Sequence, residues 1–441
     1  MTLPAKGKSR EEIYSEIKEA LSRDADWRGG KIWSLVYFAG EDVSDVLRDA
    51  YSAAIYTNGL GPGAFKSLKR FEYEVVQTAA GLLGLEGAVG NMTSGGTESI
   101  LMAVKTARDW SRAEKGISEP EMIAPVTAHP AFYKSAQYLG VKVVPTPIGD
   151  DFRADVGAIE AAITPNTVLV VGSAPNYPYG TIDPIPEIAA LAQKNNIPCH
   201  VDACLGGYLL PFVERLGYEV RPWDFRVPGV SSISADNHKY GFAARGASTI
   251  MYRDAAYRRH QFFAYSDWPG GLYGSPTMTG SRPGGAIAAA WAVLNYLGED
   301  GYMRLAKVIM DTTRTLQDGI NAIDGLHVLG DPDMSVFPFA SDSLDIYAVG
   351  DALDTFGWHP DRQQNPASLH LMVTPVHETI VQPFLADLAE AARKVRTGEQ
   401  APGGRAAFYG MLEKMPDRGA VRDVIVTTLE KLTSDPNSGL P

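Results

Sequence analysis

The chain has 441 residues, of which 45% are hydrophobic and 21% charged, the balance of a globular protein long enough for one large and one smaller domain. Its net charge of −12 at pH 7 argues against nucleic acid or an anionic membrane surface as the main partner. No apolar run approaches the roughly 20 residues of a membrane span, the N-terminus lacks a signal-peptide core, and two cysteines make no disulfide framework. These features predict a cytoplasmic protein with no integral membrane segment.

Residues 1 to 57 are expected to form an N-terminal segment that begins with a helix. Ser9 and Glu12 have the spacing of a capping box, and Ile13, Ile17 and Leu21 follow at helical intervals. Such an apolar stripe is expected to pack against the body of the protein or against a second subunit.

Residues 58 to 305 are expected to form a large domain around a mainly parallel sheet. After a helical pattern at Phe65–Leu83, short β-rich runs alternate with amphipathic stretches, which is typical of a helix-covered parallel sheet. In such sheets, ligands bind beyond the carboxyl ends of the strands. The predicted strands are Ile123–Val126, Val141–Pro145, Val168–Gly172, Ile197–Val201, Ser231–Ser234 and Ser248–Tyr252.

Residues 306 to 441 are expected to form a smaller C-terminal α+β domain. An alanine-rich helix, Ala286–Leu297, and a longer one, Gly301–Ala322, lead into it. The predicted strands of this domain are Val336–Ala340, Leu344–Val349 and Leu369–Val373, and its predicted helices are Thr379–Arg396 and Arg405–Leu412.

Lys239 lies between His238 and Tyr240, in a polar run that separates two predicted strands. A lysine crowded by a histidine and hydroxyl groups can form a Schiff base when its neighbours depress its pKa. A loop lysine with incidental neighbours fits the local sequence equally well. The other motifs of the chain therefore have to decide between these two interpretations.

The run T-S-G-G-T-E, from Thr93 to Glu98, opens a helical pattern. Glycines at the start of a helix leave backbone N–H groups free at its positive end, which is a suitable cradle for phosphate. The run is neither a Walker A nor a G-x-G-x-x-G sequence, which argues against nucleoside triphosphates and dinucleotides as ligands.

Two further polar residues fall at the ends of predicted strands. His129 is placed to lie flat against an aromatic cofactor, or simply to hydrogen-bond within its loop. Asp202 ends a buried strand, where a carboxylate is costly unless it meets a positive partner. A protonated pyridine nitrogen would be such a partner.

A metal site is the competing interpretation of the run C-H-V-D-A-C. Strand alternation places Cys199 on one face and His200, Asp202 and Cys204 on the other, and the spacing matches no zinc pattern. The sequence therefore predicts no metal.

Five runs, taken in order, resemble a known group of enzymes: T-S-G-G-T-E-S-I, A-H-P-A-F, H-V-D-A-C-L-G-G, S-A-D-x-H-K-Y-G and S-P-T-x-x-G-S-R-P-G. They resemble the pyridoxal-phosphate enzymes of aspartate-aminotransferase fold that include the amino-acid decarboxylases. Within that group, the chain is most similar to the sphingosine-1-phosphate lyase family, from about Tyr37 to Gly285. The resemblance implies an α/β fold-type I enzyme, pyridoxal 5'-phosphate as cofactor, and a homodimer with a shared active site.

The resemblance also implies roles for individual residues. Lys239 would carry the cofactor as a Schiff base, Asp202 would bind its pyridine nitrogen, and His129 would stack on its ring. The residues implied for the cofactor phosphate are Gly96, Thr97, His238 and, from the second subunit, Ser281. The residues implied for the substrate's phosphate end and the neighbouring proline-rich loop are Tyr37, Asn58 and Tyr177.

Three positions depart from the lyase pattern. N-P-L-H is here N-G-L-G, which puts Gly61 in place of a histidine, and F-P-H-G is here Y-P-Y-G, which puts Tyr179 in place of another. H-K-Y-G-Y-A-P-K-G is here H-K-Y-G-F-A-A-R-G, with Arg245 in place of the second lysine. Because cofactor residues match and substrate residues drift, the resemblance supports the chemistry better than the substrate. Tyr179 and Arg245 stay on the list of candidate substrate-binding residues.

The implied reaction is a retro-aldol cleavage of a phosphorylated β-hydroxy amine, such as sphingosine 1-phosphate, to a long-chain aldehyde and phosphoethanolamine. The freed Lys239 amine, His129 and Tyr179 are the candidate bases. One alternative is an amino-acid decarboxylase of the same fold, with Arg245 or Arg282 binding a carboxylate. The other is a cofactor-binding protein without catalytic activity.

Overall fold

The computed structural model describes residues 3–400 and 404–434. Its helices are α1 (Arg10–Leu21), α2 (Glu41–Ala53), α3 (Lys66–Leu82), α4 (Gly96–Lys115), α5 (Ala131–Leu139), α6 (Val156–Ala162), α7 (Ile185–Lys194), α8 (Leu210–Arg215), α9 (Ala255–Arg258), α10 (Gly284–Asn321), α11 (Ile346–Thr355), α12 (Val381–Thr397), α13 (Gly404–Lys414) and α14 (Arg418–Ser434). Its strands are β1 (Val89–Thr93), β2 (Glu121–Pro125), β3 (Lys142–Thr146), β4 (Thr167–Ser173), β5 (Cys199–Asp202), β6 (Val230–Ala235), β7 (Ser248–Tyr252), β8 (Phe263–Tyr265), β9 (Tyr273–Ser275), β10 (His327–Val328), β11 (Val336–Ala340), β12 (Asp361–Gln363) and β13 (Ser368–Met372). Short 3-10 helices lie at Gly206–Tyr208, Arg259–Gln261 and Pro375–Ile380.

Seven strands form the large sheet, in the order β1-β7-β6-β5-β4-β2-β3. Strand β7 runs antiparallel to both of its neighbours, and all the other pairings are parallel. Every residue of β4 and β5 is buried, as expected for central strands covered by helices on both faces. The predicted α/β fold with a mainly parallel sheet is confirmed.

Four antiparallel strands form a second sheet, β10-β11-β13-β12; helix α11 packs on β13, and α12 packs on α11. Its core includes Trp33 from the N-terminal part of the chain, which stacks on His377 at a ring-centroid distance of 4.3 Å. The long helix α10 supplies Leu305 to the core beside the large sheet and Leu316 to this second core. We propose that the boundary between the two domains lies within α10.

Two local predictions differ from the structure. The predicted strand Leu344–Val349 is wrong, because the side chain of Asp345 accepts hydrogen bonds from the N–H groups of Tyr347 and Ala348 and caps α11. The two helices predicted after residue 285 form one element whose backbone leaves the helical region only at Gly298, with φ of 55° and ψ of −173°. That break falls in the gap between the two predicted segments.

Candidate active site

A cavity of about 450 Å³ opens at the carboxyl ends of β4, β5 and β6, beside the N-terminus of α4. This is the edge of a parallel sheet at which ligands bind in open α/β folds. The predicted site residues that line the cavity are Tyr37, Gly96, Thr97, His129, Tyr177, Asp202, His238, Lys239 and Arg245.

Lys239 lies in this cavity and forms an ion pair with Asp236, with 3.1 Å between Nζ and Oδ2. Burial, the largest single effect, would lower the pKa of Lys239, but Asp236 together with weaker effects from Cys204, Tyr37 and Asp202 holds that pKa above its ordinary range. Burial alone would raise the pKa of Asp236, whose side chain is 1% exposed, but Lys239 and His238 hold it below its usual range. The pair is therefore charged at neutral pH.

Asp236 lines the cavity and was not among the residues predicted from the sequence. It stands three residues before Lys239, just after the end of β6, within the run that carried the resemblance. A carboxylate three residues from a lysine at a strand end is a signal for an ion pair, and it was available in the sequence.

The start of α4 forms one wall of the cavity. A Cβ atom on Gly96 would lie 2.8 Å from both Asp236 Oδ2 and Cys204 Sγ, so a larger residue there would force the helix start or these side chains to shift. Buried Glu98 fixes this turn, because its Oε2 accepts from Ser94 N at 2.6 Å. Its Oε1 accepts from the N–H groups of Met278 and Thr279, at 3.0 and 3.2 Å. Glu98, also missed from the sequence, thus ties the helix start to the loop that leads to residue 281.

His238 lies beside this helix start. Its Nε2 is 3.6 Å from Asp236 Oδ2, and its Nδ1 accepts from Ala247 N at 3.3 Å. A Cβ atom on Gly95 would lie 3.2 Å from the His238 ring. The free N–H groups of α4 and one imidazole thus converge on the same corner of the cavity.

Asp202 ends β5 and is 7% exposed. Its Oδ1 accepts hydrogen bonds from Cys204 N and Ser234 Oγ, both at 3.1 Å. These two donors orient the carboxylate, and among the described residues no hydrogen bond engages Oδ2. A positive group in the cavity can therefore pair with that oxygen.

His129 follows β2 and stands at the N-terminal end of α5. Its Nδ1 accepts from Ala131 N at 3.1 Å. Burial lowers the pKa of His129, with Asp202 acting in the opposite direction. The neutral ring consequently carries its proton on Nε2, and that nitrogen is a hydrogen-bond donor.

Tyr37 and Arg245 lie together on another side of the cavity. The Arg245 guanidinium is 5.5 Å from the centre of the Tyr37 ring, and its Nη1 donates to His238 O at 3.3 Å. Burial raises the pKa of Tyr37 above its ordinary range, and Lys239 and Arg245 only partly offset this effect. Tyr37 is therefore a neutral phenol beside an exposed guanidinium.

Tyr177 connects the cavity to the second sheet. Its hydroxyl donates to Asp361 Oδ2 at 2.7 Å, and Ser34 Oγ donates to Oδ1 of the same carboxylate at 3.1 Å. Burial, followed by Asp361, raises the pKa of Tyr177 far above its ordinary range. Since the phenol proton is engaged by Asp361, the Tyr177 oxygen is left to accept hydrogen bonds.

Three of the predicted residues lie outside the cavity. Tyr179 is 6% exposed, stacks on Phe152 at 4.2 Å and donates from its hydroxyl to Asn365 O at 2.7 Å. Asn58 Nδ2 donates to Ser281 Oγ at 3.0 Å; Asn58 is half-buried and Ser281 is exposed. This hydrogen-bonded pair does not line the cavity that holds Lys239 of the same chain.

Residues 3–400 and 404–434 contain no cluster of three or more His, Cys, Asp or Glu side chains suited to a metal ion. Over the same residues, no helix has the length and apolar character needed to span a membrane.

The cavity residues fit pyridoxal 5'-phosphate. A phosphate suits the corner formed by Gly96, Thr97 and His238, where a Cβ on Gly96 would already collide with its neighbours. The available Oδ2 of Asp202 suits a protonated pyridine nitrogen, and Lys239 supplies the amine that an aldehyde requires.

Comparison with known proteins agrees with this cofactor. The pyridoxal-dependent decarboxylase conserved domain matches residues 1–341. The sphingosine-1-phosphate lyase of Oryza sativa subsp. japonica is 47% identical over 438 residues, covering 97% of this chain and 81% of that protein. Sphingosine-1-phosphate lyase 1 of Rattus norvegicus is 44% identical over 438 residues, covering 98% of this chain and 77% of that protein.

Solved structures give the same picture. The sphingosine-1-phosphate lyase of Burkholderia pseudomallei K96243 superposes with a TM-score of 0.87 at 41% identity, covering 95% of this chain and 97% of that chain. The glutamate decarboxylase of Lactobacillus brevis superposes with a TM-score of 0.77 at 20% identity, covering 90% and 95%, which is a likeness of fold alone.

Proposed function

The chain belongs to the sphingosine-1-phosphate lyases within the pyridoxal-dependent decarboxylase family, and from this membership we propose its reaction. The enzyme cleaves the carbon–carbon bond of a phosphorylated β-hydroxy amine, such as sphingosine 1-phosphate. The products are a long-chain aldehyde and phosphoethanolamine. The observation that carries the proposal is the meeting of Lys239, Asp202 and the α4 helix start in one cavity of a chain with lyase relatives.

Bound pyridoxal phosphate supplies an electron sink for the pair of electrons released when the carbon–carbon bond breaks. Lys239 would hold the cofactor through its amine. Gly96, Thr97 and His238 would bind the phosphate, and Asp202 would pair with the protonated ring nitrogen. His129 contributes a flat neutral ring and a donor at Nε2.

Of the three candidate bases we assign the amine of Lys239, which can act only in its uncharged form, the form that its ion pair with Asp236 disfavours. Tyr179 is outside the cavity, and its hydroxyl is engaged by Asn365 O. The only unprotonated nitrogen of neutral His129 is engaged by Ala131 N–H. The uncharged amine of Lys239 would take the proton of the β-hydroxyl as the adjacent carbon–carbon bond breaks, and it would return a proton to the carbon.

The anionic end of the substrate is assigned to Arg245 and Tyr37. A guanidinium offers a planar fork of donors, and the neutral phenol of Tyr37, whose hydroxyl donates to Met372 Sδ at 2.8 Å, lies beside it. Tyr177 offers an acceptor to the donors of the substrate, because its own proton is held by Asp361.

The site is proposed to be completed by a second copy of the chain. Asn58 and the exposed Ser281 are hydrogen-bonded to each other and do not line the cavity of their own chain, as residues contributed to a neighbour would not. Helix α1 has its capping box but buries no residue, and it leaves Ile13, Ile17 and Leu21 exposed for such a neighbour. The free cysteines, Cys199 and Cys204, fit the reducing cytoplasm that we propose for the dimer.

A panel of amines and phosphorylated amines, assayed in parallel for aldehyde and for carbon dioxide, tests the reaction. We expect aldehyde and phosphoethanolamine from a phosphorylated long-chain β-hydroxy amine and none from the Lys239→Ala variant. Borohydride should fix the cofactor to the peptide that contains Lys239. Release of carbon dioxide from an amino acid, without aldehyde from any phosphorylated amine, would identify a decarboxylase instead. A labelled Lys239 without turnover of any amine would identify a binding protein.

A further inference from the structure

Strands β5 and β6 place four polar side chains in two facing pairs. His200 is in register with Ser232, and Asp202 is in register with Ser234. Because alternate residues of a strand share a face, all four side chains lie on the same side of the sheet. All four residues are less than 8% exposed, so each polar atom depends on its neighbours for hydrogen bonds.

The direction of these hydrogen bonds follows from Asp202. An ionised carboxylate only accepts, so the Ser234 hydroxyl must donate its single proton to Asp202 Oδ1, at 3.1 Å. The other neighbours of Ser234 Oγ must then donate to it. These neighbours are His200 Nε2 at 3.2 Å and Cys204 Sγ at 3.4 Å.

His200 can meet this demand in only one form. It is fully buried, and burial lowers its pKa to about 4, so the ring is neutral and carries one proton. That proton must be on Nε2, which faces Ser234. The other nitrogen, Nδ1, then accepts from Ser232 Oγ at 2.9 Å. The chain of donors runs from Ser232 through His200 and Ser234 to Asp202.

We propose that His200 is a positioning residue that fixes the Ser234 hydroxyl as a donor to Asp202 and thereby keeps the proton of the cofactor pair on the ring nitrogen. A hydrogen bond to the carboxylate makes it less basic, so the pyridine nitrogen retains the proton. Without the Nε2 donor, the Ser234 hydroxyl can turn away, and the more basic carboxylate takes the proton from the ring. The inference rests on the cofactor that the proposed function requires and is independent of the substrate.

The first test reads the tautomer directly. Two-dimensional ¹H–¹⁵N spectra of the holoenzyme, labelled with ¹⁵N-histidine and assigned by comparison with His200→Gln, should show His200 as a neutral ring with its proton on Nε2. A proton on Nδ1, or a charged ring at neutral pH, would overturn the proposal. The same measurement can be made on cofactor-free protein, so its result does not depend on the proposed reaction. A wrong tautomer and a wrong reaction can therefore be told apart.

The second test follows the cofactor. The holoenzyme is loaded with pyridoxal phosphate carrying ¹⁵N in the ring, and the chemical shift of that nitrogen reports whether it is protonated. In His200→Phe, we expect a shift toward the unprotonated value, a cofactor dissociation constant about tenfold higher, and a lower kcat with little change in KM. His200→Gln should restore much of each property, because its side-chain amide keeps a donor near the position of Nε2.

His377 offers a matched control, because it is also a buried histidine whose pKa burial lowers to about 4. His377→Phe should lower resistance to urea and leave the ring-nitrogen signal unchanged. If His200→Phe does not fold, Ser232→Ala takes its place and should move the signal in the same direction by a smaller amount. A folded variant at position 200 or 232 with the wild-type nitrogen shift and the wild-type cofactor affinity would refute the positioning role.

Discussion

The Nζ atom of Lys239 lies 3.1 Å from Oδ2 of Asp236, a carboxylate that lies directly beneath Gly96 at the start of α4. The ion pair holds the lysine in its charged form, in which the amine cannot react with an aldehyde. Capture of the cofactor by free enzyme should therefore become slower as the pH falls through the raised pKa of Lys239.

Asp236→Asn removes the negative charge that raises this pKa. An opposite charge at this distance shifts a pKa by about 1–3 units, so the pH midpoint of cofactor capture should fall by about that amount. Stopped-flow absorbance after mixing cofactor-free enzyme with pyridoxal phosphate over a pH series measures the midpoint.

Asp354→Asn is the control for this change, because it removes a carboxylate that pairs with Arg362 in the second domain, far from the cavity. It should leave the midpoint of capture where it is in the wild type. An unchanged midpoint in Asp236→Asn as well would mean that Asp236 does not set the charge of Lys239.

Gly96→Ala should weaken cofactor binding without unfolding the protein. The added Cβ would lie 2.8 Å from Asp236 Oδ2 and from Cys204 Sγ, so the helix start has to move away from the corner assigned to the phosphate. Loss of one charge-assisted hydrogen bond from that corner would raise the cofactor dissociation constant by roughly ten- to a hundredfold. Absorbance titration measures it.

Gly81→Ala in α3 is the matched control for the glycine change. A Cβ there meets nothing within 4 Å, and alanine in a helix is about 0.5–1 kcal/mol more favourable than glycine. It should therefore unfold at higher urea concentration and bind the cofactor as tightly as the wild type. If Gly96→Ala and Gly81→Ala bind the cofactor equally tightly, the start of α4 does not bind the cofactor phosphate.

Much of the large sheet could be predicted from sequence because its central strands are short apolar runs between helical patterns. The runs at residues 168–172 and 248–252 correspond to β4 and β7 almost residue for residue. Strand β1, V-G-N-M-T, was missed because its glycine and asparagine are poor strand residues in isolation. A Cβ on Gly90 would lie 2.5 Å from Ile250 O, so the glycine is a requirement of the neighbouring strand. The sequence around Gly90 alone cannot predict this requirement.

The site residues also differ in whether local sequence could predict them. Residues next to glycines or at strand ends, such as Lys239, Asp202 and Gly96, could be found from local pattern and resemblance. Asp361 could not, because its contact with Tyr177 joins positions 184 residues apart in the chain. Tyr179 likewise lies outside the cavity because it contacts Phe152 and Asn365, and no local sequence pattern indicates these contacts.

The hydrogen bond between Asn58 and Ser281 predicts which pairs of inactive variants can complement each other. In mixed dimers of Lys239→Ala and Ser281→Ala chains, one site has an intact lysine and an intact serine from the other chain, so activity should return to about half of the sites. Mixed dimers of Asn58→Ala and Ser281→Ala should recover nothing, because each site then lacks one of the two. Activity is measured after subunit exchange, with heterodimers verified by differently tagged chains.

Recovery in the second mixture would show that Asn58 and Ser281 serve different sites. Absence of recovery in the first mixture, despite verified heterodimers, would show that each chain has a complete site of its own.

Arg245 occupies a position where the lyase pattern has lysine, and its guanidinium is exposed at the cavity, 5.5 Å from the Tyr37 ring. Removal of a charge-assisted hydrogen bond worth about 1.5–3 kcal/mol should raise KM for the true substrate by roughly ten- to a hundredfold in Arg245→Ala. Cofactor absorbance should be unchanged, since the contacts of Arg245 are with His238 O and Tyr37 and none is with Lys239 or Asp202. Arg245→Lys keeps the charge but loses the planar fork of donors. Its KM should fall between those of the wild type and Arg245→Ala, and nearer to that of Arg245→Ala if the anion is held by two parallel hydrogen bonds.

Steady-state kinetics with a phosphorylated long-chain amine and its unphosphorylated counterpart separate the effects: the increase in KM should appear only for the phosphorylated compound. If Arg245→Ala turns that compound over as well as the wild type does, the anion is bound elsewhere.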